Sequence, residues 1–470
     1  MRGVYRLSLN PEAIIYAAGA KAADNLFMRL LRSDMPHPLR HRLWIGGSLL
    51  GLFVAVFVIS QVIGRLQDPS TRLELGGDFV PAYAAGTLVR QGRSVDIYHI
   101  DAMQKVEHET VAAADLEPLP FYGPYLNPPF FAAFYAPLSA LPYREAAFAW
   151  LLFSLACVAI SIALLCRMLP ADWRVRGLVP LFILISMPFW QAICHLQNSC
   201  LSLLILTAVV AIWRRAKSNR AAIIAGVLAS LLAYKPQLAA FVMVGLVATL
   251  GWPALVGCAV GLSVLAIATL CFMPGTISGY LHALPPLLQM IQERPQYNWG
   301  RQVTPQGFWR LLLQGHSGGG ARPITTLLIT ISVAVALIAF TWVLWRSRAN
   351  VTRRDQIIII TICGSPVLMP YFMDYDLLLM AIPAAIIAVS WVQEGLPRGI
   401  GRYAPAAWSL LFISLYVNPG MSGQTRLNLA AVLTAITAII SSQSVWIPST
   451  RSSQPSTPPE SAYTSLASAA

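Results

Sequence analysis

The chain has 470 residues, of which 56% are hydrophobic and only 11% charged. An ordinary soluble domain carries about 25% charged residues, so the polar surface needed to solubilise a globule of this length is missing. Lys and Arg outnumber Asp and Glu by 33 to 20, and on a soluble protein the net charge of +13 would suggest a nucleic-acid partner. Here the basic residues sit in short loops between apolar runs, which excludes nucleic acid, a soluble enzyme and a disulfide scaffold. The seven cysteines lie in or beside apolar runs without a C-x-x-C and read as small packing residues. The composition is that of an all-α polytopic membrane protein.

Residues 1–42 form a basic cytoplasmic leader holding Arg29, Arg32, Arg40 and Arg42. The first apolar run, 43–63, has no small-residue cleavage site behind it and reads as a retained signal anchor. Further apolar runs follow at 146–168, 177–194, 199–213, 221–235, 237–251, 253–273, 323–346, 356–372, 376–393, 403–418 and 426–447. Together they predict about 12 transmembrane helices over 43–447. With the N-terminus inside, alternation puts Arg167, Arg174 and Arg176 on the inner side, then Arg214, Arg215, Lys217 and Arg220. Arg346, Arg348, Arg353 and Arg354 join them there, as do Arg398 and Arg402, in keeping with the positive-inside rule. The outer segment 64–126 carries nine acids and five bases.

The first outer loop runs over 64–145 and includes an apolar stretch, 128–141, interrupted by Pro128, Pro129 and Pro137. That stretch is too short to span comfortably and reads as a helix lying at the outer interface. A second large outer loop covers 274–322, and 448–470 is a Ser/Thr/Pro-rich, almost uncharged stretch read as a disordered cytoplasmic tail. No internal repeat suggests the inverted halves of a transporter.

On this topology the unusual polar residues gather at the outer boundary. Asp78 follows the first span; Asn127 precedes the interfacial stretch; His195, Gln197 and Asn198 lie between the third and fourth spans. Lys235 joins the fifth to the sixth, Arg294 and Arg301 lie in the second large loop, and Tyr371, Asp374, Tyr375 and Asp376 lie between the ninth and tenth. Ionisable groups at membrane depth are costly, so each is a functional candidate. Each also has a plainer reading. Asp78 could be a solvated loop acid or a helix N-cap, Lys235 could snorkel to headgroups, and His195, Gln197 and Asn198 could cap helix ends. Asp374 and Asp376 could be loop charges.

The cluster offers a carboxylate and several cations, with no Cys/His group for zinc and no phosphate-binding loop, so no metal or other cofactor is implied. A carboxylate can take a proton from an attacking hydroxyl while cations stabilise a departing phosphate. Nucleotide sugars stay in the cytoplasm, so a sugar activated on the outer face is lipid-carried. The chemistry points to glycosyl transfer from a polyprenyl phosphate.

Ordered motifs over roughly 70–395 make the chain resemble the GT-C membrane glycosyltransferases, most closely glycosyltransferase family 87, the polyprenyl-phosphate-mannose-type transferases. They are Gly77-Asp78-Phe79 with Tyr83 and Ala84, Gly92 to Tyr98, and Tyr125-Leu126-Asn127-Pro128-Pro129-Phe130 with Ala136-Pro137-Leu138 and Leu141-Pro142. Gln197-Asn198-Ser199, Ala225-Gly226 leading to Lys235-Pro236-Gln237, and Ser365-Pro366 leading to Tyr371 and Tyr375-Asp376-Leu377 complete the set. The resemblance implies a GT-C-like bundle with juxtamembrane helices in its first periplasmic loop, a bacterial inner-membrane location, and Asp78 as general base. On this reading an inverting enzyme with both termini cytoplasmic moves a sugar from a polyprenyl-phosphate donor to a lipid or glycan acceptor on the periplasmic face. Lys235, Arg294 and Arg301 are assigned to the donor phosphate. Tyr83, Asn127, His195, Gln197, Asn198, Tyr375 and Asp376 are assigned to sugar and acceptor. The alternatives are a carrier or flippase for a lipid-linked sugar, using the same residues without making a bond, and a structural subunit of an envelope-glycan complex.

Overall fold

The computed structural model describes residues 77–116, 122–169, 173–295, 297–347, 354–394 and 399–443. The leader 1–42, the expected first span 43–63 and the tail 448–470 lie outside the described residues. Among the described residues the chain is all-helical, with 17 α-helices, short 3-10 turns, no strand, and one isolated antiparallel bridge between Gln302 and Met373.

The chain enters through α1 (Phe79–Arg90) and α2 (Ile100–Ala113), then α3 (Pro129–Tyr135). Seven residues make α3 about 10 Å long, far short of the ~30 Å hydrocarbon core. It lies against α1 because Gly86 has no side chain; a Cβ there would sit 2.7 Å from the Tyr135 backbone. Aromatic rings seal this segment onto the bundle: Phe79 stacks on Trp150 with centroids 6.1 Å apart, and Phe131 on Tyr234 at 4.2 Å.

The bundle begins with α4 (Tyr143–Met168), a single helix of 26 residues. The run 177–194, expected as one span, is instead two helices, α5 (Trp173–Leu184) and α6 (Met187–Cys194), separated by an extended Ser186. The break follows from Pro188, which has no N–H to give the Leu184 carbonyl. The Ile185 carbonyl exposed by the break accepts the Tyr416 hydroxyl. Next come α7 (Ser199–Arg215) and α8 (Asn219–Ser230), which tightens to a 3-10 turn over Leu231–Tyr234, and then α9 (Pro236–Leu250). Pro236 bars its predecessor from helical backbone, so Lys235 sits at φ −117°, ψ 80° and forms the corner.

α10 (Trp252–Phe272) packs against α8 through Gly226, Gly257 and Gly261, where a Cβ would run into the backbone or Ser230 of the partner helix. The second large loop is not irregular: it contains α11 (Thr276–Gln292) and α12 (Pro305–Gln314). The remaining helices are α13 (Pro323–Ser347), α14 (Arg354–Leu368), α15 (Ala381–Glu394), α16 (Ala404–Thr425) and α17 (Leu429–Ser441).

Among the described residues three helices, α4, α10 and α13, are long and apolar enough to cross a bilayer. They leave large apolar side chains exposed, among them Phe148, Leu152, Val264, Ile267, Val335 and Ile338. Lipid satisfies such faces; water would not. The chain is a helical membrane protein. Helices α7, α9 and α14 bury its core, including Leu203, Leu206, Trp213, Val242, Ile357 and Ile358.

α7 and α14 run antiparallel and give the bundle two chemically different ends. At one, Arg214 grips Asp355 through two bonds of 2.7 and 2.6 Å, and Arg354 donates to the Trp213 and Ala216 carbonyls. The other end, about 25 Å along α7, begins at Ser199.

In α2, Glu107 is 1% exposed, and its Oε1 is buried without a hydrogen-bond partner. Burial pushes its carboxyl from the ordinary 4.5 up to about 8. Between those values the folded chain holds a proton that the unfolded chain has lost, so stability falls as pH rises through the interval. Glu107→Gln is therefore expected to flatten the pH dependence of the melting temperature and to melt above wild type near pH 9, with little difference near pH 5. Parallel curves for the two proteins would contradict this.

Candidate active site

At the Ser199 end a cavity of about 310 Å³ opens between the α1–α3 segment and the bundle. Its polar wall includes Asp78, Asn127, Gln197, Asn198, Lys235 and Asp376, with Tyr371 and Tyr375 beside them. The apolar wall is one face of α11, Leu284, Leu288 and Ile291 at helical spacing, continued by Leu238 and Met369.

Asp78 occupies the N-cap position of α1, yet its carboxylate makes no capping bond. It turns across the cavity and accepts from Gln197 Nε2 at 2.5 Å, and its side chain remains 46% exposed. The plain helix-cap reading therefore fails for its side chain. Gln197 is delivered by the turn between α6 and α7, in which Leu196 adopts the left-handed φ of +51°. For a side chain with a Cβ this backbone costs about 1–2 kcal/mol. Trp150 holds the strained turn by donating Nε1–H to the Leu196 carbonyl at 2.8 Å.

Lys235 does not snorkel outward. Its ammonium, 16% exposed, lies 2.5 Å from Asp376 Oδ1, and the Asp376 side chain is only 8% exposed. Ser199 Oγ–H donates to the same oxygen at 2.5 Å. Asn127 donates to the Tyr234 carbonyl at 2.9 Å, tying α3 to the residue before Lys235. Tyr234 in turn shares a 2.7 Å bond with Ser202 on α7.

Four of the sequence-assigned residues lie off the cavity wall. Tyr83 donates its hydroxyl to the Leu141 carbonyl at 2.8 Å, a packing role. Arg294 is exposed beyond the end of α11. Arg301 is clamped by Asp374, with Nε 3.0 Å from Oδ2 and Nη2 3.0 Å from Oδ1, and it also donates to Gln191 Oε1 at 3.1 Å. Burial alone would weaken the guanidinium charge, but the Asp374 carboxylate outweighs it and holds Arg301 above its usual range. His195, 9% exposed, sits behind Asp78 against Arg301 and Gln191.

The segment carrying Arg301 is held by amides that composition did not single out. Asn428 donates to the Trp299 and Gln302 carbonyls, Asn418 donates to the Gly300 carbonyl, and Gln302 reaches Thr304 and the Pro370 carbonyl. Their sequence signal was an uncharged amide at the margin of an apolar run, which burial forces to find a partner. Among the described residues no group of three or more His, Cys, Asp or Glu side chains is arranged to hold a metal.

A carboxylate and an ammonium on the polar wall of a cavity whose other wall is apolar suit a substrate with an anionic headgroup and a hydrocarbon tail. The match to known families agrees with a transferase: residues 125–370 fit the family model of glycosyltransferase family 87. The match covers just over half of the 470 residues, and the chain belongs to that family; it is a membrane glycosyltransferase. No curated protein and no solved structure matches the chain. The matched segment contains Asn127, Gln197, Asn198 and Lys235, whereas Asp78 and Asp376 fall outside it.

Asp374→Ala should destabilise the protein by about 3–5 kcal/mol, because it leaves the Arg301 charge largely buried without its carboxylate. Replacing both partners with apolar residues of similar size should cost clearly less. Unfolding of the purified variants checks this; equal losses would show that the pair's charge is not what matters.

Proposed function

We propose that the cavity transfers a sugar from a polyprenyl-phosphate donor to a hydroxyl of a lipid or glycan acceptor, at the periplasmic face of a bacterial inner membrane. The observation that carries this reading is the meeting of Asp78 and Lys235 on one cavity wall, beside an apolar face fit for an isoprenoid tail. The basic clusters at Arg214 and Arg354 lie at the opposite end, which supports an outward-facing cavity under the positive-inside rule. On this topology 64–145 and 274–322 form the periplasmic loops, and 1–42 and 448–470 are cytoplasmic.

The acceptor hydroxyl gives its proton to Asp78 as its oxygen bonds to the anomeric carbon. The bond from that carbon to the phosphate oxygen breaks, and polyprenyl phosphate leaves with the electron pair, inverting the anomeric centre. Lys235 stabilises the charge that develops on the departing phosphate, exchanging Asp376 for it as counter-ion. Asn127, Gln197, Asn198 and Tyr375 supply hydrogen bonds for sugar and acceptor. With Arg301 committed to Asp374 and Arg294 beyond the wall, the phosphate role falls to Lys235 alone.

Purified protein in lipid, given labelled polyprenyl-phosphate sugars and a total membrane-lipid extract, tests the reading. Wild type should move label to a new product, and Asp78→Asn should lose on the order of 10²–10⁴ in rate. Lys235→Ala should weaken donor binding or slow phosphate departure. Near-normal turnover by a folded Asp78→Asn would remove the base from Asp78.

A further inference from the structure

The mechanism above gives no task to His195, which is buried and lines none of the cavity. Its position is nonetheless specific. Nδ1 lies 3.9 Å from Asp78 Oδ2, about 1 Å beyond hydrogen-bonding distance. Nε2 lies 3.1 Å from Arg301 Nη1 and 3.0 Å from Gln191 Oε1.

The protons on this ring follow from what surrounds it. A guanidinium nitrogen carries only donors, so Arg301 Nη1 requires a lone pair on the imidazole nitrogen it faces. Arg301 has little freedom to turn away, because Asp374 holds it through two bonds and its Nη2–H is given to Gln191 Oε1. Gln191 Oε1 accepts from the same guanidinium and stands 3.0 Å from Nε2, so a lone pair there meets one other acceptor, the single unfavourable contact of this tautomer. With the lone pair on Nε2, the single proton of the neutral ring is on Nδ1, the nitrogen that faces Asp78. The opposite tautomer would gain a bond to Gln191 Oε1 but would set its N–H against the Arg301 N–H and a lone pair against a carboxylate, two repulsions that involve full charges against one neutral bond.

We propose that His195 is a positioning residue for Asp78: the Asp374–Arg301 pair fixes its tautomer so that the Nδ1–H dipole faces Oδ2 from 3.9 Å and attracts it electrostatically, while the Gln197 amide hydrogen-bonds the same oxygen. The base function then falls to Oδ1. This inference rests on the reading of Asp78 as the general base. The Gln197 amide bonds Oδ2 and the His195 N–H faces the same oxygen, which together bias the rotation of the carboxylate about its Cβ–Cγ bond. Buried partners behind a reacting group act in this way by fixing orientation and tautomer, without touching substrate.

Two measurements on the full chain in lipid nanodiscs test it. In nitrogen NMR of histidine-labelled protein, the His195 signals, identified by their loss in His195→Asn, should show a neutral ring protonated on Nδ1; protonation on Nε2 overturns the proposal. In the transfer assay with labelled polyprenyl-phosphate sugars, His195→Ala should lower kcat about 10–100-fold with KM little changed. Adding His195→Ala to Asp78→Asn should cost nothing further, because His195 acts only through the carboxylate. His195→Asn, whose amide N–H stands where Nδ1–H stands, should recover more turnover than His195→Gln, whose amide stands nearer Nε2. Independent, additive losses, or better rescue by Gln, overturn the positioning role. Full turnover by Asp78→Asn would instead remove the base reading on which the role depends, while the tautomer would still be read from the spectrum.

Discussion

The contact between Lys235 and Asp376 organises this end of the molecule. Two opposite charges, both largely buried, are joined by the Ser199 hydroxyl, so the start of α7, the corner before α9 and the turn after α14 must converge. Taking two ions out of water costs several kcal/mol each, and their attraction repays this only when geometry is good and other donors help. A pair of apolar residues would hold three segments together at lower cost. The pair is better understood through the cavity it faces, where an anionic headgroup can take over from Asp376 as the partner of Lys235.

Around that pair the protein separates support from chemistry. The Arg301–Asp374 clamp, the amides of Asn418 and Asn428, and the Trp150 bond to the Leu196 carbonyl all lie behind the wall and fix backbone. The residues on the wall are reached through tight corners: the left-handed Leu196 presents Gln197, and the residue-before-proline corner presents Lys235. Strain at Leu196 is retained where a glycine would relieve it, and packing of the Leu196 side chain into the aromatic cluster supplies a reason.

Much of the bundle was legible in the sequence because a bilayer imposes long apolar runs bounded by basic loops, and helices over 143–168, 252–272 and 323–347 answer to such runs. The break at Ser186 was hidden because apolar content does not register the N–H that Pro188 lacks. Helices α11 and α12 were hidden because each has only one apolar face, so neither forms a continuous run. The site was half legible. The cost of charge near a membrane singled out Asp78, Lys235, Arg301, Asp374 and Asp376, but not which would pair. Gln197 meets Asp78 across 119 residues of sequence, and Arg301 turns toward Asp374 and away from the cavity. Such choices belong to tertiary packing, which one sequence does not display.

If the proposed transfer is right, a lipid-linked phosphate enters this cavity and is held by Lys235. A cryo-EM map of the purified protein in nanodiscs with polyprenyl phosphate tests it most directly. Phosphate density is expected against Lys235 Nζ, with the Lys235–Asp376 contact opened and the isoprenoid running along Leu284, Leu288 and Ile291. Phosphate bound elsewhere, at Arg294 or beside the Arg214 cluster, with the Lys235–Asp376 pair closed, would contradict it.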